Sequence, residues 1–259
     1  MINCAASVDL AGKLELATKI NVTGALRLFE LAQESKNLEC FCQVSSTFAN
    51  VDRQGYVEER IYESEIDWQA EYERITSSPK RDMMKAGGKA FIPKAFPDAY
   101  CFTKRMAEEL LLRMNQNRVP LLILRPSIIG ASLSEPTPGW TDNTSLLNGV
   151  TLLVGLGIMR DLRGIPGAFL DVVPVDLVVK QILQSIVSLA VQYRESGGQK
   201  NVLVSHASTS ALNPVTLKGF FRDLAEYQNK FPYEKRAGKA HFVVHQDQKN
   251  YNNSVRFKN

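Results

Sequence analysis

Short apolar segments alternate with amphipathic segments along most of this chain. The apolar segments show little polar alternation, which is typical of strands buried on both faces of a parallel sheet. They predict strands at 1–7, 39–45, 121–126, 169–175 and 201–205. The amphipathic segments predict helices at 14–33, 99–116 and 176–191, the last capped by Asp176. This alternation indicates an α/β protein with a doubly wound parallel sheet.

The stretch from about 51 to 96 interrupts this alternation. It is polar and rich in Glu, Lys and Arg, with a helical pattern over 64–75. The segment Lys85-Ala-Gly-Gly-Lys89 predicts a flexible loop. The same stretch contains the densest run of basic residues in the chain, and we interpret this run as a solvated surface. It is formed by Lys80, Arg81, Lys85 and Lys89. We therefore expect an insertion above the sheet edge, part helix and part loop.

Size and composition narrow the class of protein. The 259 residues, 44% of them hydrophobic and 22% charged, suffice for one large globular domain. A net charge of +4 favours anionic ligands slightly, but it is too small to indicate a nucleic-acid binder. No segment approaches the roughly 18 consecutive apolar residues of a membrane helix. The first residues lack the pattern of a signal peptide.

The four cysteines indicate a reducing, intracellular compartment. Cys4, Cys40, Cys42 and Cys101 form no C-x-x-C pair and have no histidine at metal-ligand spacing, so we expect no metal site. Cys40 and Cys42 alternate along an apolar run and should point to the same side of a buried strand. Secretion fits this pattern less well.

The sharpest chemical signal is Tyr100-Cys-Phe-Thr-Lys104 at the start of a predicted helix. Residues four apart share a helix face, so the two side chains should lie side by side. Hydride transfer to a carbonyl needs a proton donor at the oxygen, and a tyrosine hydroxyl serves if a neighbouring ammonium lowers its pKa. Because this spacing also arises by chance, a surface pair is its default interpretation.

Two strand ends supply context for that pair. Ser45 and Ser46 end the strand before the helix, where a hydroxyl would meet the same oxygen, although capping of the strand end explains two serines equally well. The strand after the helix ends in Arg125-Pro126-Ser127, where it should pass beneath a nicotinamide. Because the carboxyl ends of parallel strands meet at one edge of a sheet, the three signals jointly predict a reductase site.

These motifs, in this order, resemble an extended short-chain dehydrogenase/reductase with a Rossmann-like fold. More narrowly, Arg125-Pro-Ser-Ile-Ile129 followed by Glu135-Pro-Thr-Pro-Gly-Trp-Thr-Asp-Asn143 is very similar to the fatty acyl-CoA reductase (male-sterility) family. The same holds for Asn3-Cys-Ala-Ala-Ser-Val-Asp9, Asn21-Val-Thr-Gly24, Asp52-Arg-Gln-Gly55, Asp171-Val-Val-Pro-Val-Asp176 and Asn213-Pro-Val-Thr216. The resemblance implies NADPH-dependent reduction of a long-chain acyl-CoA, through an aldehyde, to a fatty alcohol.

The resemblance also assigns roles to individual residues. Tyr100 would donate the proton, and Lys104 would lower the pKa of Tyr100 and hold the cofactor ribose. Ser46, with Ser45 as second choice, would bind the carbonyl oxygen. The residues that would bind the cofactor are Ala5, Ala6, Val44, Tyr100, Lys104, Pro126, Ser127 and Ile128. Asn21 would support the Lys104 region, or would only bond to the backbone inside its helix.

A loop and an apolar stretch would contact the substrate. The loop at the acyl-CoA entrance would contain Trp140, Asp142 and Asn143, either as substrate ligands or as residues that only order the loop. The small apolar stretch 146–157 would wall an acyl channel, although a core helix is the more frequent explanation of such runs.

The chain departs from the family at its start. The family begins with a strand and a Gly-rich turn, G-x-x-G-x-x-G, whose amides bind the pyrophosphate, and no residues here match it. On that pattern, 1–228 is a partial NAD(P)-binding reductase domain that lacks its first strands, and 229–259 is a polar segment that starts a further region. Either the chain is a fragment of an ordinary reductase, or a protein partner covers the sheet edge.

The two hypotheses, a reductase and a structural subunit, imply different subcellular locations. The resemblance implies peripheral association with a peroxisomal or endoplasmic-reticulum membrane. A non-catalytic, reductase-like subunit of a larger assembly, mitochondrial for example, is the alternative. A sugar nucleotide or sterol substrate would use the same chemistry, but the E-P-x-P-G-W motif argues against it.

Overall fold

A computed structural model describes residues 1–78, 91–116, 118–142, 144, 146–198 and 201–256. In these residues the strands are β1 (Ile2–Asn3), β2 (Phe41–Val44), β3 (Leu121–Pro126), β4 (Ile128–Gly130), β5 (Asp161–Arg163), β6 (Val172–Pro174), β7 (Val202–Ala207) and β8 (Val243–His245). The α-helices are α1 (Leu14–Thr18), α2 (Gly24–Glu34), α3 (Trp68–Ser77), α4 (Ala99–Asn115), α5 (Leu146–Gly155), α6 (Val175–Glu195), α7 (Leu217–Lys230) and α8 (Gln248–Arg256).

The elements form two compact units. The first comprises Met1–Ser127 and Val179–Ala207, and the second Ile128–Val178 and Ser208–Asn259. These units are defined by contacts in space. The predicted division of the sequence into a reductase domain and a segment from 229 onward stays a prediction.

A four-stranded parallel sheet in the order β1-β2-β3-β7 forms the centre of the first unit. β3 is buried along its whole length, which explains its unbroken apolar sequence. Phe41 pairs with Leu121, and Leu121 with Val202, so β2, β3 and β7 end at the same edge of the sheet. The predicted Rossmann-like parallel sheet is confirmed.

Two helices cover one face of this sheet. Phe29 of α2 and Leu111 of α4 pack against Phe41 and Leu121. The rings of Phe29 and Phe41 meet edge to face, with centroids 5.0 Å apart. Leu31, on the other side of α2, is 57% exposed. The amphipathic pattern of this segment therefore marks its buried face correctly.

Part of the predicted insertion belongs to the core. Its helix begins at Trp68 instead of 64, because the Asp67 carboxylate accepts from the amides of the first turn. Trp68 and Phe96 are buried and pack against Phe102 of α4. The polar composition of the segment concealed these apolar anchors. The predicted loop 85–89 and the basic run that begins at Lys80 lie outside the described residues.

The second unit contains two small parallel sheets, β4 with β6 and β5 with β8. The polar segment from 229 onward, for which no element was predicted, contains β8 and α8. His245 Nε2 lies 2.8 Å from Asp161 Oδ1, which ties β8 to β5. In α5 only Val154 and Gly155 are buried, so the core-helix interpretation of 146–157 is wrong. A role for α5 as channel wall stays a prediction.

Helix α6 has one buried and one exposed apolar face. Buried positions include Val178, Ile182 and Leu189. Exposed side chains at four-residue spacing are those of Val179, Leu183, Val187 and Val191. Among the described helices, α6 is long and apolar enough to cross a membrane by length and composition, a test that the core helix of a soluble protein also passes.

We expect Phe29→Ala to lower the free energy of unfolding by about 3–5 kcal/mol, because it removes a fully buried ring and leaves a cavity. The matched control, Leu31→Ala on the exposed side of the same helix, should cost about 0.5 kcal/mol. Chemical denaturation of both variants measures the difference. Equal losses would contradict the assignment of the buried face of α2.

Candidate active site

Tyr100 and Lys104 lie one turn apart at the start of α4. The Asp98 carboxylate caps this helix by accepting from Cys101 N at 2.8 Å, which fixes the first turn. Lys104 is 4% exposed, and its Nζ donates to the carbonyl oxygen of Val44 at 2.9 Å. The same Nζ lies 5.8 Å from the centroid of the Tyr100 ring. The structure thus brings the tyrosine and the lysine together at the end of β2.

Burial governs the protonation of both residues. It lowers the pKa of the Lys104 ammonium to about 8, against the opposing effects of the Glu108 carboxylate and the Cys4 thiol. Burial also raises the pKa of the Tyr100 hydroxyl, and the interaction with the Ser46 side chain opposes this rise. The net direction for Tyr100 is upward, so the lowering of its pKa by Lys104 stays a prediction.

The two adjacent serines face different partners. Ser46 caps the 3₁₀ helix Thr47–Asn50 by accepting from Phe48 N at 3.2 Å, and its side chain also interacts with Tyr100. Ser45 instead donates its hydroxyl hydrogen to Glu108 Oε1. Both serines are buried. The geometry therefore favours Ser46 over Ser45 as the hydroxyl beside Tyr100, and it shows that Ser46 is a cap as well.

A buried ion pair that the sequence reasoning missed joins the elements of this site. Arg125, near the end of β3, donates through Nε at 3.0 Å and Nη2 at 2.7 Å to the two carboxylate oxygens of Glu108 on α4. The side chains are 0% and 1% exposed. Arg125 Nη1 also donates to Arg60 O at 3.0 Å. The sequence did contain one signal of this ion pair. An arginine inside an apolar strand carries a buried charge, and such a charge needs a partner of opposite sign.

The residues expected to border a cofactor lie at the carboxyl ends of the same strands. Ala5 and Ala6 follow β1, and Ala5 is exposed. Ser127 directly follows β3 and is 7% exposed, and its Oγ has no hydrogen-bond partner among the described residues. A buried hydroxyl without a partner is costly unless a ligand completes it. The residues present fit the nicotinamide end of a dinucleotide, whereas the sequence has no Gly-rich turn for the pyrophosphate.

Asn21 connects the segment after β1 with α4. It lies in the π-helical turn Lys19–Thr23, which interrupts the predicted helix 14–33. Its side chain accepts from Ser7 N at 2.7 Å and donates to Thr103 Oγ1 at 3.0 Å, next to Lys104. Asn21 therefore contacts the residue next to Lys104, as the resemblance implies. Its backbone partner, Ser7, lies outside its own helix, so the alternative of a bond only to the backbone inside that helix is wrong.

The remaining predicted residues belong to the second unit or lie outside the described part. Ile128 begins β4 and pairs with Val172. Trp140 is 41% exposed, and its backbone N donates to Ser132 Oγ at 3.0 Å. Asp142 is exposed, and Asn143 lies outside the described residues. Roles for Trp140, Asp142 and Asn143 toward a substrate stay predictions.

The interpretation of Asp176 as a helix cap is wrong. Asp176 lies inside the first turn of α6, and its carboxylate accepts from Leu133 N at 2.8 Å and Ser134 N at 3.1 Å. It also accepts from Glu135 N at 3.3 Å. These amides, that of Leu133 first, lower the pKa of the Asp176 carboxyl well below its usual range. Asp176 therefore fixes the loop that leads into the Glu135-to-Asn143 motif.

The cysteines are free thiols. Cys40 and Cys42 are both buried, as predicted, and burial raises their pKa values to about 11 and about 12. Cys4 is exposed. In the described part of the chain, no three His, Cys, Asp or Glu side chains form a group that could hold a metal ion.

Similar solved structures define the class of fold. The terminal R domain of the myxalamid PKS-NRPS pathway is similar in structure, with a TM-score of 0.63 and 18% sequence identity. The superposition covers 99% of this chain and 52% of the R-domain chain. The UDP-glucuronic acid 4-epimerase of Bacillus cereus, in complex with NAD, matches 95% of this chain and 63% of its own, with a TM-score of 0.59 and 12% identity. These likenesses support the fold alone, that of an extended short-chain dehydrogenase/reductase.

Sequence relatives give the family. The male sterility protein family model matches residues 1–182. Fatty acyl-CoA reductase 1 of Gallus gallus is 34% identical over an alignment of 220 residues that covers 83% of this chain and 40% of that protein. Fatty acyl-CoA reductase 2 of Homo sapiens is 29% identical over an alignment of 268 residues that covers 98% of this chain and 48% of that protein. The chain belongs to the male sterility, or fatty acyl-CoA reductase, family, and it spans less than half the length of these relatives.

We expect Asp176→Asn to lower the melting temperature at neutral pH, because an amide replaces the charge that the loop amides bind. The folded pKa of Asp176 lies below its unfolded value, so its contribution is present above the unfolded pKa and is lost as the pH falls through the folded one. The difference in melting temperature between variant and wild type should therefore shrink below about pH 4. Glu234→Gln, at an exposed carboxylate of the same unit, is the control. A difference in melting temperature between Asp176→Asn and wild type that does not change with pH would contradict this account.

Proposed function

We propose that this protein uses NADPH to reduce a long-chain fatty acyl-CoA, through the aldehyde, to a fatty alcohol. The observation that carries the proposal is the grouping of Tyr100, Lys104 and Ser46 at the carboxyl end of β2. The names of the curated relatives supply the substrate class, fatty acyl-CoA. The choice of NADPH over NADH follows from the family resemblance.

The nicotinamide cofactor, when bound, supplies the hydride that reduces the carbonyl carbon. Lys104 would hold its ribose through the ammonium hydrogens that Val44 O does not engage. The small side chains of Ala5 and Ala6 would let the backbone approach closely. Bordering the nicotinamide would be Val44, Pro126, Ser127 and Ile128.

The side chains of this chain would handle the proton and the developing charge. In the aldehyde step, the O–H bond of Tyr100 breaks and its proton goes to the oxygen that becomes the alcohol. Lys104 stabilises the tyrosinate that remains. Ser46 donates a hydrogen bond to the same substrate oxygen as negative charge develops. In the preceding thioester step, which needs a hydride of its own, Ser46 and Tyr100 would bind the oxyanion that hydride addition to the carbonyl carbon creates. The C=O bond of the aldehyde then re-forms as the C–S bond breaks and the CoA thiolate leaves.

Tyr100→Phe should reduce turnover by about 10²-fold or more while leaving cofactor affinity unchanged, because it removes the proton donor and keeps the ring. Consumption of NADPH with a long-chain acyl-CoA, and cofactor titration of the same natively purified protein, measure the two effects. Tyr56→Phe, at an 82% exposed tyrosine, is the matched control. Unchanged turnover in Tyr100→Phe would remove the proposed role. Cofactor binding without any turnover in the wild type would favour the non-catalytic subunit.

Ser46→Ala should lower kcat by about 10²-fold, because it removes one hydrogen-bond donor from the developing oxyanion. Ser45→Ala should lower kcat less and affect thermal stability more, since its hydroxyl donates to the buried Glu108. Steady-state kinetics and thermal melts of the two neighbouring variants make the comparison. A larger kcat loss in Ser45→Ala would reverse the assignment.

Two expectations about the surroundings of the protein extend this proposal. Peripheral association with a peroxisomal or endoplasmic-reticulum membrane rests on the family resemblance. A covering partner, or a further part of the same protein, at the β1 edge is supported by the 46% exposure of Ile2 in this edge strand.

A further inference from the structure

The face of α4 that carries the tyrosine and the lysine continues for one more turn. Tyr100, Lys104 and Glu108 are spaced four residues apart, so they follow one another along one side of the helix. Glu108 is the buried carboxylate of this row, and the side chains it binds come from two strands. Its Oε1 accepts from Ser45 and from Arg125 Nε, and its Oε2 accepts from Arg125 Nη2 at 2.7 Å.

The partners of Glu108 adjoin the residues that the proposed reaction uses. Ser45 precedes Ser46 in the chain, and Arg125 precedes Pro126. A backbone hydrogen bond from Ser45 N to Leu124 O, 2.7 Å long, joins the two strand ends directly. The carboxylate therefore binds the strand ends through the neighbours of two site residues, while α4 holds the tyrosine and the lysine.

We propose that Glu108 is a positioning residue, which holds the ends of β2 and β3 against α4 and supplies the negative charge that Lys104 faces. The inference rests on the proposed function for its consequence in catalysis, and on contacts in the structure for its geometry. Small displacements matter at such a site, because a misplacement of about 1 Å between reacting groups can cost about 10²-fold in rate.

The charge environment of Lys104 shows what Glu108 contributes. The titratable groups facing Lys104 are Tyr100 and Glu108 from its own helix and Cys4 from the segment after β1. Burial lowers the pKa of Lys104, and the negative charge of Glu108 is the main influence that opposes this effect. Arg125 balances the charge of Glu108 on the side of β3.

The test follows Lys104 itself in the cofactor-free chain. The ¹³Cε chemical shift of labelled lysine, assigned with Lys104→Met, gives the titration midpoint of Lys104 by NMR. Glu108→Gln should move this midpoint down by about one pH unit, because the charge that stabilises the ammonium is gone. Glu109→Gln, the adjacent carboxylate that pairs with Arg105, is the matched control and should leave the midpoint near the wild-type value.

A parallel measurement on the natively purified enzyme connects the charge to the reaction. Glu108→Gln should lower kcat by about 10²-fold with a smaller change in KM, and should shift the basic limb of the kcat profile to lower pH. A general loss of folded protein would not move that limb. If Glu108→Gln does not fold, the double variant Glu108→Gln with Arg125→Met removes both buried charges at similar volume. Because the positive charge of Arg125 is lost as well, the Lys104 midpoint should then fall by less, and a normal kcat in this variant would overturn the positioning part.

The outcomes separate this inference from the proposed function. An unchanged Lys104 midpoint in a folded Glu108 variant overturns the electrostatic part of the inference. A shifted midpoint with an unshifted pH profile and normal kcat overturns the positioning part. An inactive wild type in which Glu108→Gln still moves the midpoint refutes the proposed function and leaves intact the electrostatic influence of Glu108 on Lys104.

Discussion

The buried ion pair between Arg125 and Glu108 is the constraint around which the first unit is arranged. A guanidinium near the end of an apolar strand is costly to desolvate, and removing one partner of such a pair typically destabilises a protein by about 3–5 kcal/mol. The bidentate geometry therefore leaves α4 little freedom relative to β3. The Ser45 hydroxyl extends the same constraint to β2.

This arrangement creates the electrostatic character of the site. The environment that excludes water from Lys104 disfavours its charge and also disfavours ionisation of Tyr100. Fixed partners oppose both effects, since Glu108 favours the ammonium and Ser46 favours the tyrosinate. Burial outweighs these partners at both residues, so a lysine with a lowered pKa and a tyrosine with a raised pKa lie at one strand end.

The parts of the fold that sequence reasoning found are those with strong hydrophobic periodicity. β3 was predicted to the residue because its apolar sequence is unbroken, and α4 almost to the residue because it is long and its apolar residues have helical spacing. The π-turn at Asn21 was missed because one extra residue in a helix leaves the local pattern nearly unchanged. β8 was missed because a strand of three residues is too short to show a pattern. Glu108 was missed because its partners, Ser45 and Arg125, are distant in sequence.

The neighbouring serines at the end of β2 have a consequence for evolution within the family. Because both positions carry the same residue, a letter-by-letter alignment can slip by one place there without any penalty. The pairing of Val44 with Leu124 is what distinguishes them, since it decides which hydroxyl faces Tyr100 and which faces Glu108. A homologue with a single serine in this segment can be interpreted only after its strand register is known. Strand register, and not residue type, therefore decides which of the two serines lies beside Tyr100.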